Sequence, residues 1–344
     1  MLKRLGLSAF TLVWLAAFAV TPGAATVPNP TVIGPIPATA VPGDPSHNYP
    51  FFATTVDLAA YGYVEEEFFL QGTANRYNTP TMPPATGSII DSGHLYKTRI
   101  IVRRPTSPHD FNGTVLMEWQ NTAPGHDIDI FWLESHDHLI RRGYAWVGVS
   151  VSRAGVNTAV TGLRAWSPNR YGTLDVTQGG TILDDALSYD IFSQAAQAVR
   201  SPVGVDPMGE LNVERVFAIG GVPSLATYYN SIHPLAGVFD AFSIDVVAGG
   251  LLRTDLNVKV FKLLSEYSIA LGGQAPSASP TRTTSGGGKW RELRTLTFMG
   301  GKNLRHSWLE TFFLCNHPHV ISRPSAASRS TSPGTRPLSS WSAG

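Results

Sequence analysis

A single cysteine, Cys315, in 344 residues leaves no internal disulfide, and its neighbours offer no metal-ligand spacing. Charge imbalance is also missing: Lys and Arg total 26 against 25 for Asp and Glu, and only 15% of residues are charged. No global field draws such a chain toward nucleic acid or an acidic lipid surface, so both drop out as partners. Beyond the first 25 residues, no apolar run approaches the length of a membrane span. Glycine (33) and proline (25) are plentiful, which implies many turns and long surface loops. The length is enough to bury a large core as one α/β domain or two smaller ones.

Met1 to Ala25 reads as a signal peptide. Lys3-Arg4 is the positive start, Leu5 to Val20 the apolar stretch, and Gly23-Ala24-Ala25 the small residues for cleavage near Ala25. The competing reading, a membrane anchor, needs a longer run. The expected location is therefore outside the cytoplasm, secreted or periplasmic. Residues 26–50 read as an extended lead-in, 51–273 as the folded domain and 274–344 as a Ser/Pro/Arg-rich tail that is expected not to pack.

Within the domain, Phe51 to Gln71 alternates apolar and polar residues as an early exposed strand pair would, with Glu65-Glu66-Glu67 on a solvated face. Tyr96 to Arg103 is a further strand. Thr114 to Trp119 (TVLMEW), Ile130 to Arg142 and Tyr144 to Val151 then give strand, helix, strand, the pattern of a parallel sheet with a right-handed crossover. Leu183 to Arg200 reads as a helix, and Val238 to Val247 and Val258 to Leu264 as later strands. Asn112-Gly113-Thr114 is a glycosylation sequon, meaningful only in a eukaryotic secretory pathway. The predicted architecture is a doubly wound, mostly parallel α/β sheet with ligands at the carboxyl ends of its strands.

The chain is organised around Val213 to Tyr229: a short apolar strand, Gly220-Gly221, Ser224, then a helix. Acyl transfer needs a nucleophile, a base, an acid and oxyanion donors. On these residues the candidates are Ser224 as nucleophile, Glu266 after the VKVFKLL strand as acid, and the loop holding Gln120, Asn121 and Gly125 as oxyanion side. The base is not identified. His47, His94, His109, His126, His136 and His138 precede the turn, His233 reads as a turn residue, and His306, His317 and His319 lie in the tail. His136-Asp137-His138 projects in different directions from a helix, so no metal or cofactor is expected. Trp132, Trp146 and Trp166 read as core, although a sugar- or polymer-binding surface is a third functional reading.

The segments VLMEWQNTAPGHD (115–127), RRGYAWVGVSVSRAGV (141–156), LRAWSPNRYGTLD (163–175), SYDIFSQAAQAVR (188–200), VERVFAIGG (213–221) and LATYYNSIHPLAG (225–237) resemble the secreted or exported α/β-hydrolase-domain family that carries a Gly-x-Ser-Gln-Ser nucleophile elbow. The resemblance spans about Phe51 to Leu271. It implies an α/β-hydrolase fold and serine-hydrolase chemistry on ester or related acyl bonds of a small-molecule substrate. Aligned from the glycines, the family's nucleophile falls on Val222 and its oxyanion glutamine on Pro223, Ser224 matches the second serine, and about three residues before Leu225 are missing. The family's late Trp-Glu-Val-Ala-Gly-Thr-Ser-His segment corresponds here to 287–295. One back-translation of those residues spells that segment in another frame, so an out-of-frame tail beginning between Gln274 and Gly287 is expected. The alternative to a hydrolase is a non-catalytic binding protein of the same fold, or an inactive copy.

Overall fold

The computed structural model describes residues 27–245, 251–264, 281–283 and 291–297. Among these residues, eleven strands form one sheet: β1 (Thr31–Ile33), β2 (Tyr63–Asn78), β3 (Ser88–Pro105), β4 (Thr114–Trp119), β5 (Ala145–Val149), β6 (Val203–Gly204), β7 (Arg215–Gly220), β8 (Ala241–Asp245), β9 (Lys259–Leu264), β10 (Thr281–Thr283) and β11 (Arg291–Thr297). Their order is β10-β11-β9-β8-β7-β4-β5-β3-β2-β1-β6. From β11 to β5 every neighbour is parallel, and β3, β2 and β1 continue the sheet antiparallel.

The expected early strand pair is instead one long strand, β2, hydrogen-bonded along its length to β3. Its partner, β3, begins at Ser88, well before Tyr96, because pairing with β2 runs to the end of the hairpin at Asn78 and Ser88. Residues 281–283 and 291–297, within the stretch expected not to pack, are strands, and β11 covers the edge of β9. The rest of the expected tail, Cys315, the late histidines and the signal segment lie outside the described residues.

Among the described residues, seven α-helices accompany the sheet: α1 (Ile130–Arg141), α2 (Arg153–Asn157), α3 (Leu163–Trp166), α4 (Pro168–Tyr171), α5 (Ser188–Arg200), α6 (Pro223–Thr227) and α7 (His233–Ala236). A single π turn, Tyr228–Ile232, joins α6 to α7. The strand TVLMEW is buried at every position because helices cover both faces. Val115, Met117 and Trp119 point to the side of α5 and α6, while Leu116 points to the side of α1. Each such apolar side chain contributes roughly 1.5–3 kcal/mol on burial.

The order β5-β4-β7 positions the site. From β4 the chain goes through α1 to β5 on one side, then returns across the sheet to place β7 on the other side. Helix α1 packs on one face and α5 and α6 on the opposite face. The loops leaving β4 and β7 therefore lie side by side at the carboxyl ends of the strands, where this class of sheet binds ligands.

Candidate functional site

The turn after β7 brings Gly221, Val222, Pro223 and Ser224 to that end of the sheet. Gly220 sits close under neighbouring groups: a Cβ there would stand 3.1 Å from Leu225 Cδ2 and 3.3 Å from the Trp119 carbonyl oxygen. Neither Gly220 nor Gly221 has a positive φ, and Val222 is extended, with φ −131 and ψ 143. A nucleophile elbow holds its serine on a sharp, strained turn with the side chain exposed. Here the strained conformation is missing, and the position after the glycines carries valine. Pro223 opens α6, where its fixed φ suits the first helical position and its missing N–H costs nothing. Ser224 is the second residue of that helix and half-buried.

The loop after β4, residues 120–129, meets this turn through Asn121, whose Nδ2 donates to the Gly221 carbonyl at 3.3 Å. The backbone of Asn121 is committed elsewhere: its N–H donates to Ile128 O at 3.3 Å, and its carbonyl accepts from Ile128 N at 2.9 Å. The structure thus brings Asn121 and the turn together. Gln120 goes the other way. It is buried, its Oε1 accepts from Arg99 Nη2 at 3.4 Å and Ser150 Oγ at 3.3 Å, and its backbone N–H reaches Val149 O at 3.5 Å. Glu266 lies outside the described residues. His233 turns toward the sheet and packs edge-on against Phe242, with ring centroids 5.0 Å apart.

Two features escaped sequence reasoning. One is Asp245, the last residue of β8, whose Cβ stands 3.8 Å from where a Gly221 Cβ would be. Its signal was a carboxylate closing an apolar strand. The other is a buried ionic network behind the loop. Glu65, Glu66 and Glu67 do not line a solvated face. Glu67 is buried and bonded by Arg99 (3.3 Å), Arg170 Nε (2.7 Å) and Tyr171 OH (2.6 Å), Glu65 accepts from Arg103 Nε at 2.7 Å, and Glu66 pairs with Arg104 at 2.6 Å. The physical reason is the antiparallel partner, since β3 supplies an arginine opposite or diagonal to each glutamate.

Arg99 and Arg103 also hold the loop after β4. Arg99 Nη2 lies 3.6 Å from Asp127 Oδ2, and Arg103 Nη1 donates to Asp129. Arg103 sits between two tryptophan faces, 4.7 Å from Trp132 and 4.5 Å from Trp146. Both tryptophans are core, as expected, while Trp166 is half-buried. Burial pushes Asp127 and Asp129 above the usual carboxylate range, opposed by these arginines. Among the described residues, no group of three His, Cys, Asp or Glu side chains could hold a metal ion, and no helix is long and apolar enough to cross a membrane.

The sequence matches the family model for an alpha/beta hydrolase domain over residues 32–295. None of the curated proteins matches it. Among solved structures, a cold-adapted esterase from an Arctic intertidal metagenomic library is 12% identical, with a TM-score of 0.37, covering 73% of this chain and 94% of its own. A serine hydrolase without a lid from Xanthomonas campestris is 9% identical (TM-score 0.36, 70% and 94% covered). A glucuronoyl esterase from Teredinibacter turnerae is 10% identical (TM-score 0.39, 86% and 80% covered).

Proposed function

Because the chain belongs to the alpha/beta hydrolase domain family, we propose that it keeps the scaffold of a serine hydrolase of ester or related acyl bonds but has lost the acyl-transfer step. It holds a small-molecule ligand in the crevice between the loops after β4 and β7 without turning it over. The observation that carries this reading is the pair Val222-Pro223 at the turn. Valine has no nucleophilic atom, and proline has no N–H for an oxyanion. The neighbouring donors are engaged: Asn121 N–H with Ile128, and Leu225 N–H with Val222 O at 3.1 Å. Ser224 remains the fallback nucleophile, but it sits within the helix, one residue past the proline. The first 25 residues export the protein in this reading, and N-terminal sequencing of the mature chain checks that.

A fluorophosphonate probe followed by intact-mass measurement tests the main claim. The expected result is no adduct on folded protein. An adduct that disappears in Ser224→Ala would overturn it and make Ser224 the nucleophile.

A further inference from the structure

Beyond Gln71 the β2–β3 hairpin runs past its pairing with β1 and β5 as a two-stranded arm, and its ladder shifts register on both sides of Arg76. Such irregularities re-aim side chains. Here they gather Arg76, Asp91 and His94. Arg76 Nε donates to Asp91 Oδ1 at 2.7 Å, and Arg76 Nη2 donates to Oδ2. His94 Nε2 lies 2.6 Å from the same Oδ1, and His94 Nδ1 meets Gln178 Oε1. The His94 side chain is 15% exposed.

Gln178 belongs to a separate segment, the strap 176–187 that leads from Asp175 to α5. Its backbone is left-handed, with φ 48, which a residue with a Cβ seldom adopts. Asp175 imposes it: Oδ1 accepts from Thr177 N at 2.9 Å and Oδ2 from Gly179 N, while the Asp175 backbone exchanges two 2.8 Å bonds with Lys97 of β3. Residues 179–181 and 183–185 are exposed. The strap is next held at Asp185, whose carboxylate accepts from Ser152 Oγ at 3.0 Å and Arg153 N at 2.6 Å, at the start of α2. It then enters α5, where Tyr189 packs on Trp119 with ring centroids 5.7 Å apart and bonds Thr227 of α6. The strap thus joins the arm to the elements beside the turn after β7.

Both ring nitrogens of His94 face acceptor oxygens. An imidazolium has two N–H donors and satisfies both, whereas a neutral imidazole has one. The charged groups that face the ring are Asp91 on its own strand, Arg76 on β2 and, beyond Arg76, Asp184 of the strap. Hydrogen bonds from Arg76 and then His94 hold the Asp91 carboxyl well below the usual carboxylate range, so Asp91 stays an anion throughout. A neutral ring keeps its proton on Nε2, toward that anion, and turns the Nδ1 lone pair on Gln178 Oε1. Two acceptors repel.

We propose that His94 is a proton-operated latch: charged, it ties the strap to the arm, and neutral, it lets Gln178 and the strap go. The strap is held in mild acid and released as pH rises, because histidine is the side chain that changes charge in this range. The latch requires nothing of the chemistry at the turn.

Hydrogen–deuterium exchange of the full chain tests it, read by mass spectrometry as protection factors for peptides of the strap and of β5 at about pH 5.5 and about pH 8. Strap protection is expected to fall about tenfold from the lower to the higher pH, with β5 unchanged. Gln178→Glu, whose carboxylate cannot turn a donor toward the ring, is expected to move the fall to higher pH. His94→Gln and Gln178→Ala are expected to give the same strap protection at both pH values, with thermal midpoints verifying that each folds. Parent strap protection that ignores pH, as it would if the Gln178 amide turned over to donate to a neutral ring, overturns the proposal. So does a pH dependence that survives in His94→Gln or Gln178→Ala.

Discussion

Glu118 is the one charged residue on β4, buried to 1% exposure between the strand and the start of α1. Its carboxyl accepts from Phe131 N at 3.1 Å and Trp146 Nε1 at 2.9 Å. Burial, and then the nearby Asp129 carboxylate, push its pKa from 4.5 up to about 8. A carboxyl whose pKa is raised on folding binds its proton more tightly in the native state. Stability is therefore unaffected below the unfolded pKa and falls as pH rises through the window from 4.5 to about 8. Between roughly pH 5 and pH 8.5, this one group removes on the order of 4 kcal/mol, since each pKa unit is worth about 1.4 kcal/mol. Glu118→Gln keeps the shape and abolishes the titration. It leaves one N–H donor facing an amide, at a cost of about 1–3 kcal/mol that does not depend on pH. The comparison to make is thus a double difference: urea unfolding of parent and variant, each at the two pH values. The parent is expected to lose about 4 kcal/mol more than the variant on going to high pH. A double difference under about 1 kcal/mol would refute the reasoning. It would show that the helix N-terminus and the two N–H donors stabilise the anion enough to cancel its desolvation.

Two further substitutions probe buried titratable groups elsewhere in the fold. At Gly155, a Cβ would overlap Asp127 Oδ1 and stand 2.8 Å from Asp127 Cγ and 3.2 Å from Thr122 Cγ2. Asp127 is pinned by Ser150 and Arg99, so Gly155→Ala is expected to cost about 2–4 kcal/mol by denaturant unfolding. Unchanged stability would mean that the loop yields. Burial lowers His233 from 6.5 to about 4. The unfolded chain then binds the extra proton, so stability is full above the unfolded pKa and is lost as pH falls through that window. His233→Phe is expected to remove up to about 3 kcal/mol of this acid sensitivity, and identical acid-unfolding profiles would contradict it.

Buried charge on this scale is not a stability device by default, because desolvation opposes the Coulombic gain. The network tethers segments far apart in sequence. Arg99 and Arg103 join β3 to the carbonyls of Phe51 and Phe52 and to Asp127 and Asp129. Removing one partner would strand several buried groups together, so its members act as a unit.

The parallel centre of the sheet is legible in the order of the residues alone. TVLMEW, VFAIG and AFSID are apolar runs too short for helices, bounded by turn residues, and they form β4, β7 and β8 because runs that are apolar on both faces are stable only when covered on both. The same order also locates the turn after β7, since glycines between a strand and a helix mark it. What the polar residues do depends on which strands and loops pack beside them. Alternation marked Glu65 and Glu67 as one face of a strand but could not say whether that face meets water or Arg103 and Arg99, because the partner strand lies more than thirty residues along the chain. Gln120 and Asn121 are adjacent in sequence, yet one enters the buried network and the other reaches Gly221. Successive residues leaving a strand point to opposite sides, and which side holds the ligand is settled only when β7 lies down beside β4.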